Sequence, residues 1–96
     1  MNTSYIFLAP GFEETEAITV VDVMRRAGMD IKTVSITPNH SVTGAHGITL
    51  TADLIYDKTD FITPEWLIIP GGMPGAENIA KFQPLNTLLI NLSLIH

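Results

Sequence analysis

The stretch YIFLAPGFEETEAITVVDVMRRAG, residues 5–28, decides the fold, because it changes hydrophobic period at a Pro-Gly break. Residues 5–9 (YIFLA) are a continuous apolar run, which suits a strand covered on both faces, as in a parallel sheet. From about residue 14 to residue 27, Ala17, Val20, Val21, Met24 and Ala27 recur at helical spacing, while Asp22, Arg25 and Arg26 supply much of the polar side. Acids in the first turn and arginines in the last both complement the helix dipole, and Gly28 is placed to cap the C-terminus. The stretch reads as a strand followed by a helix.

Working outward, residues 30–37 (DIKTVSIT) are rich in β-branched residues and stop at Pro38-Asn39, which predicts a second strand. Strand, helix and strand with short connections make a βαβ unit, a crossover that is right-handed almost without exception. Residues 41–53 (SVTGAHGITLTAD) read as a small hairpin or excursion, with glycines at 44 and 47 flanking a turn and a period-two alternation after it. Residues 57–64 read as polar connection. Residues 66–69 (WLII) are expected to form another buried strand, ending in Pro70-Gly71-Gly72, with a helix over residues 75–82 and a second helical stretch from residue 84. The last fifteen residues, 82–96, carry no Asp, Glu, Lys or Arg, so this tail lacks the charged outer face of a surface helix.

The chain has 96 residues, enough for one small domain, and 46% of them are hydrophobic against 16% charged, a globular composition. A formal net charge of -5 argues against nucleic acid as the main partner, because phosphate binding needs clustered Lys and Arg. There is no cysteine, which excludes disulfides, thiolate metal sites and a cysteine nucleophile within these residues. The acidic N-terminus does not read as a signal peptide, and no apolar run approaches the roughly 20 residues that span a bilayer. A cytoplasmic, membrane-free protein is the expectation.

Two segments could carry chemistry. The first is the acidic cluster Glu13, Glu14 and Glu16 after the Pro-Gly break. At a helix N-terminus each carboxylate gains about 0.3–1 kcal/mol from the dipole, and that alone accounts for Glu13 and Glu14, which should be exposed. Glu16 precedes the apolar Ala17 and Ile18. Held in an apolar pocket, it would have a raised pKa and could donate or transfer a proton. The second segment is IIPGGMPGAENI, residues 68–79, where Gly71-Gly72 could either relieve a tight turn or leave amides facing an anion. Its Gly-Gly-x-x-Gly spacing only echoes the dinucleotide fingerprint, which belongs after the first strand. His40, His46 and His96 have no metal-ligand spacing, and His46 is expected on an exposed turn, with a pocket-lining role as the sharper alternative. Trp66 and Phe82 are expected in the core. No cofactor and no metal is expected.

In this order, GFEETEAI, VDVMRRAG, VTGAHGITLTAD and LIIPGGMPGAENI resemble the first half of the ThiJ/PfpI superfamily, in the branch of the parkinsonism-associated protein, whose members are described as deglycases or glyoxalase III. The resemblance implies an α/β, flavodoxin-like (Rossmann-like) parallel sheet flanked by helices, with residues 1–96 as the N-terminal portion of a single domain. It implies conversion of reactive dicarbonyls such as methylglyoxal through a cysteine-bound hemithioacetal. In that scheme the position of Glu16 hydrogen-bonds the cysteine, and Gly71 and Gly72 supply oxyanion-hole amides. His46 lies where the family closes its pocket, and Arg26 falls on the helix of the family's dimer contact, so a homo-oligomer is expected. The cysteine elbow of the family has no counterpart here, so the chain reads as a truncated, inactive form. The alternatives are a non-catalytic interaction or chaperone-like module and, less well matched, a flavodoxin-type nucleotide binder.

Overall fold

A computed structural model of the chain describes residues 2–61 and 64–88. Strand β1 (Ser4–Leu8) is followed by α1 (Glu14–Arg26), β2 (Ile31–Ser35), the antiparallel pair β3 (Ser41–Thr43) and β4 (Thr49–Thr51), β5 (Leu54–Ile55), a 3-10 turn (Tyr56–Lys58), β6 (Leu67–Ile68) and α2 (Gly75–Ala80); residues 83–88 are helical again. Four strands form one parallel sheet in the order β5-β2-β1-β6. The chain therefore winds from β1 through β2 to β5 in one direction, then returns past β1 to add β6 on its other side.

Strand β1 is buried along its whole length because it is flanked on both edges and covered on both faces. The period of two divides its side chains. Ile6 and Leu8 join Phe12, Ala17, Ile31, Val42 and Ala52 beneath α1 and the hairpin. Tyr5 and Phe7 face the other way, with Val34, Ile79 and Leu85. An aromatic cluster extends that second face: the rings of Tyr5 and Phe61 are 4.8 Å apart, and those of Tyr56 and Phe82 are 4.9 Å apart. Phe82 thus packs against the core, as the sequence predicts.

Helix α1 begins and ends on the expected signals. Glu13 is its N-cap, accepting a 2.6 Å hydrogen bond from the Thr15 amide, and Gly28 leaves it at φ 81°. Arg25 in the last turn donates to the Ile31 carbonyl at 3.1 Å and to Asp53 at 2.8 Å. Asp53 in turn accepts from the Thr33 amide and hydroxyl, tying the end of the hairpin to β2. Burial pushes the Asp53 carboxyl up, but the Thr33 hydrogen bonds and Arg25 outweigh it and hold the pKa below the usual value.

Two expectations need correction, and one strand has no counterpart in the sequence reading: Leu54 and Ile55, between the hairpin and the connection read over residues 57–64, pair with Val34 and Ser35 as a parallel strand. Two residues are too short for any periodic signal. Residues 66–69 do supply a strand, β6, but it is only half-buried, because among the described residues its outer edge has no partner. For the same reason Trp66 is 59% exposed and is not core. Of the apolar tail, Leu85 is buried against β1, whereas residues 89–96 lie outside the described residues. Among the described residues, no helix is long and apolar enough to cross a membrane.

Candidate active site

Strands β1 and β6 are parallel neighbours, with Tyr5 opposite Leu67 and Ile6 opposite Ile68, so the loops that leave their C-terminal ends share one edge of the sheet. This is also where the winding reverses. Ligand sites in open α/β sheets form in the crevice at such a switch point. The two loops are joined by backbone: the Glu13 amide donates to the Gly71 carbonyl at 2.9 Å and the Gly75 amide to the Gly11 carbonyl at 3.0 Å. Asn78 adds a 2.7 Å side-chain bond to the Pro10 carbonyl. Glycine is needed for this approach. A methyl group at Gly75 would lie 2.6 Å from the Gly11 oxygen, and one at Gly72, already at φ 104°, would lie 2.7 Å from the Glu13 nitrogen.

Glu16 and Gly71 meet at this edge. A methyl group at Gly71 would be 2.9 Å from Glu16 Oε2, so the carboxylate lies directly over the glycine. Together with Thr15, Val20, Ile68 and Ile69 they line an open trough of about 460 Å³ between α1 and β6. Among the described residues, the amides of Gly71 and Gly72 donate no hydrogen bond within the chain. The trough therefore offers one carboxylate, the backbone of Gly71 and an apolar wall, and Gly72 follows at its margin in the chain.

The burial of the three glutamates differs from expectation. Glu16 is exposed and is not enclosed by apolar side chains, since Ile18 is itself 45% exposed. Glu14, expected on the surface, is the buried one, at 3% exposure. Its carboxylate accepts from the His46 amide at 2.8 Å, the Ile48 amide at 3.1 Å and His46 Nδ1 at 3.0 Å, which anchors the β3–β4 turn to the start of α1. Gly44 is required beside it, because a methyl group there would collide with Glu14 Cδ. Burial pushes the Glu14 carboxyl up, but the His46 side chain, the Ile48 amide and the amides of Glu14 and His46 together hold its pKa at about 2. The hydrogen bond and charge of Glu14 raise the pKa of His46. No sequence signal identifies this anchor, since its partners stand about thirty residues apart.

His46 stands on an exposed turn, as expected, with its side chain 70% exposed. It faces Glu14 and does not line the Glu16–Gly71 trough among the described residues. Glu13, Glu14 and His46 bring possible ligand atoms within 4.8 Å of one another. Each of them already serves in a hydrogen bond: Glu13 caps α1, and Glu14 holds His46. Arg26 is distant from the trough. Its Nε donates to Asp22 at 3.0 Å on the outer side of α1, beside an apolar groove of about 530 Å³ lined by Ile18, Val21 and Leu50.

A sequence model described as the DJ-1/PfpI family matches residues 3–91. The chain belongs to the DJ-1/PfpI family. Protein DJ-1 homolog B of Arabidopsis thaliana is 36% identical over 83 residues, covering 85% of this chain and 19% of the relative. The Parkinson disease protein 7 homolog of Danio rerio is 28% identical over 85 residues, covering 88% of this chain and 45% of the relative. Among solved structures, oxidized DJ-1 of Toxoplasma gondii superposes with a TM-score of 0.89 at 30% identity, covering 95% of this chain and 50% of that one. The fold is thus the flavodoxin-like α/β fold of this family, of which the chain spans about half the length of a DJ-1 structure and about a fifth of the plant relative.

Proposed function

We propose that these residues supply the acid and the oxyanion donors of a cysteine-dependent site for methylglyoxal-type dicarbonyls or their adducts, with a thiol that comes from outside the 96 residues. The observation that carries this reading is the contact between Glu16 and Gly71 at the switch point, beside amides that have no acceptor among the described residues. In the proposed chemistry a thiolate adds to an aldehyde carbon. The C–S bond forms as the carbonyl π pair moves to oxygen, and the developing oxyanion accepts hydrogen bonds from the Gly71 and Gly72 amides. A proton delivered by way of Glu16 then gives the neutral hemithioacetal. With no cysteine present, the pure chain is expected to consume no methylglyoxal above buffer. Turnover that depended on Glu16 in the pure chain would overturn the assignment of the nucleophile.

Binding tests the rest. The hemithioacetal that forms in solution from methylglyoxal and 2-mercaptoethanol mimics the proposed intermediate. In an NMR titration it should shift the Gly71 and Gly72 amides and the Glu16 side chain, and leave the Glu14–His46 pair unmoved. Shifts confined to Glu14 and His46, or no shift at Gly71 and Gly72 at saturation, would remove the reading. Self-association through the outer face of α1 is proposed with it. There the groove is lined by Ile18, which is 45% exposed, Val21 and Leu50, and Arg26 stands at its rim. Sedimentation should show a homodimer that Ile18→Lys dissociates; a dimer indifferent to this change would exclude that face.

A further inference from the structure

Helix α1 packs Ala17, Val20, Val21 and Met24 on the core, yet it turns Thr15, Glu16 and Thr19 toward the trough beside β6. Thr15 and Thr19 are four residues apart, so they lie on one side of the helix, about 6 Å apart along its axis. A threonine in a helical turn commonly bonds its hydroxyl to the carbonyl four residues earlier. Thr59 does so, donating to the Ile55 carbonyl at 2.7 Å. Among the described residues, the hydroxyls of Thr15 and Thr19 make no hydrogen bond; Glu13 engages Thr15 through its amide instead. The other wall of the trough is apolar, made by Ile6, Ile68, Ile69 and Pro70. The trough is therefore polar along α1 and apolar along β6, with the Glu16 carboxylate over Gly71.

A carbonyl compound whose other carbons bear only hydrogen would cover these hydroxyls and leave them unpaired, whereas one that carries its own hydroxyl replaces the water they lose. We infer that Thr15 and Thr19 are specificity-determining residues, which make the trough select α-oxoaldehydes with a hydroxyl on the carbon beyond the ketone over the plain methyl compound. This rests on the dicarbonyl reading proposed above and names the substrate class within it. Because the trough is open, water competes for the same hydroxyls, so the preference is about tenfold and not the far larger ratio of an enclosed site.

The test compares the hemithioacetals that ethanethiol forms in solution with methylglyoxal and with 3-hydroxypyruvaldehyde, which differ by one hydroxyl group. Ethanethiol is chosen because it has no hydroxyl of its own. In NMR titrations, the shifts of the Gly71 and Gly72 amides should give a Kd about tenfold lower for the hydroxylated adduct. The double variant Thr15→Val, Thr19→Val keeps the β-branched shape, removes both hydroxyls and should bind the two adducts within about twofold of each other. It should hold the methyl adduct no more weakly than the unaltered chain does. The double variant Thr15→Ser, Thr19→Ser keeps both hydroxyls and should retain the preference. Equal affinities in the unaltered chain, or a preference that survives the change to valine or is lost on the change to serine, would overturn this inference alone. Absence of shifts at Gly71 and Gly72 with either adduct would overturn the dicarbonyl reading and this inference with it.

Discussion

Replacing Gly72 by alanine is expected to cost about 1–3 kcal/mol from overpacking, added to about 1–3 kcal/mol from a strained backbone. Both arise at one atom. The new methyl would stand 2.7 Å from the Glu13 nitrogen and 3.0 Å from the Gly11 oxygen, and the residue must hold φ 104°. Neither neighbour is the end of a flexible side chain, so relief requires the β1–α1 and β6–α2 loops to part. That would break the bond from the Glu13 amide to the Gly71 carbonyl and remove Glu16 from Gly71. A domain of this size has a total stability of roughly 0.05–0.15 kcal/mol per residue, so the loss is a large share of it. Urea unfolding followed by far-UV circular dichroism measures the effect. Gly28→Ala is the control, because Gly28 has φ 81° with nothing within 4 Å, and it should show the backbone cost alone. Equal losses for the two variants would show that the loops are not held by close backbone approach.

Acid should unfold the chain through Glu14. The folded-state pKa of Glu14 is lowered from 4.5 to about 2, so its contribution is fully present above pH 4.5 and is lost as the pH falls toward 2. His46 behaves in the opposite sense. Its folded-state pKa is raised above 6.5, so its contribution is complete below that value and fades as the pH rises through the folded pKa. The pair therefore contributes most between about pH 4.5 and 6.5. Glu14→Gln should lower Tm throughout that window and flatten both limbs. His46→Gln should flatten the alkaline limb and leave most of the acid one, since the His46 and Ile48 amides still bond to Glu14. The comparison is a Tm profile from pH 2 to 9 for the three proteins. An acid limb that persists unchanged in Glu14→Gln would place the titration at other carboxylates, such as Asp53.

Much of the fold was legible in the chain because its signals are local. The apolar run of β1, the period and caps of α1, the two glycines of the hairpin turn and the helix over residues 75–80 all match patterns confined to neighbours in sequence. The failures share one cause. β5 is two residues long and exists only because β2 offers it an edge, and Trp66 reads as core from composition although its burial depends on what lies beside β6.

The sequence by itself determined the order of the elements and set Glu16 and Gly71 in the loops that follow two apolar strands. It also determined that any thiol must come from elsewhere, since no cysteine is present. Only the tertiary structure decided that β6 joins β1 on the side away from β2, which brings residues 16 and 71 into contact across fifty-five positions of sequence. It alone distinguished the three glutamates: Glu13 caps α1, Glu14 is buried under the hairpin turn, and Glu16 remains exposed over a glycine. The reason is physical. A carboxylate at a helix start gains from the dipole at any of these positions, so local electrostatics does not rank them. The ranking comes from which amides the rest of the chain brings within hydrogen-bonding distance, and that depends on strand order and hairpin placement.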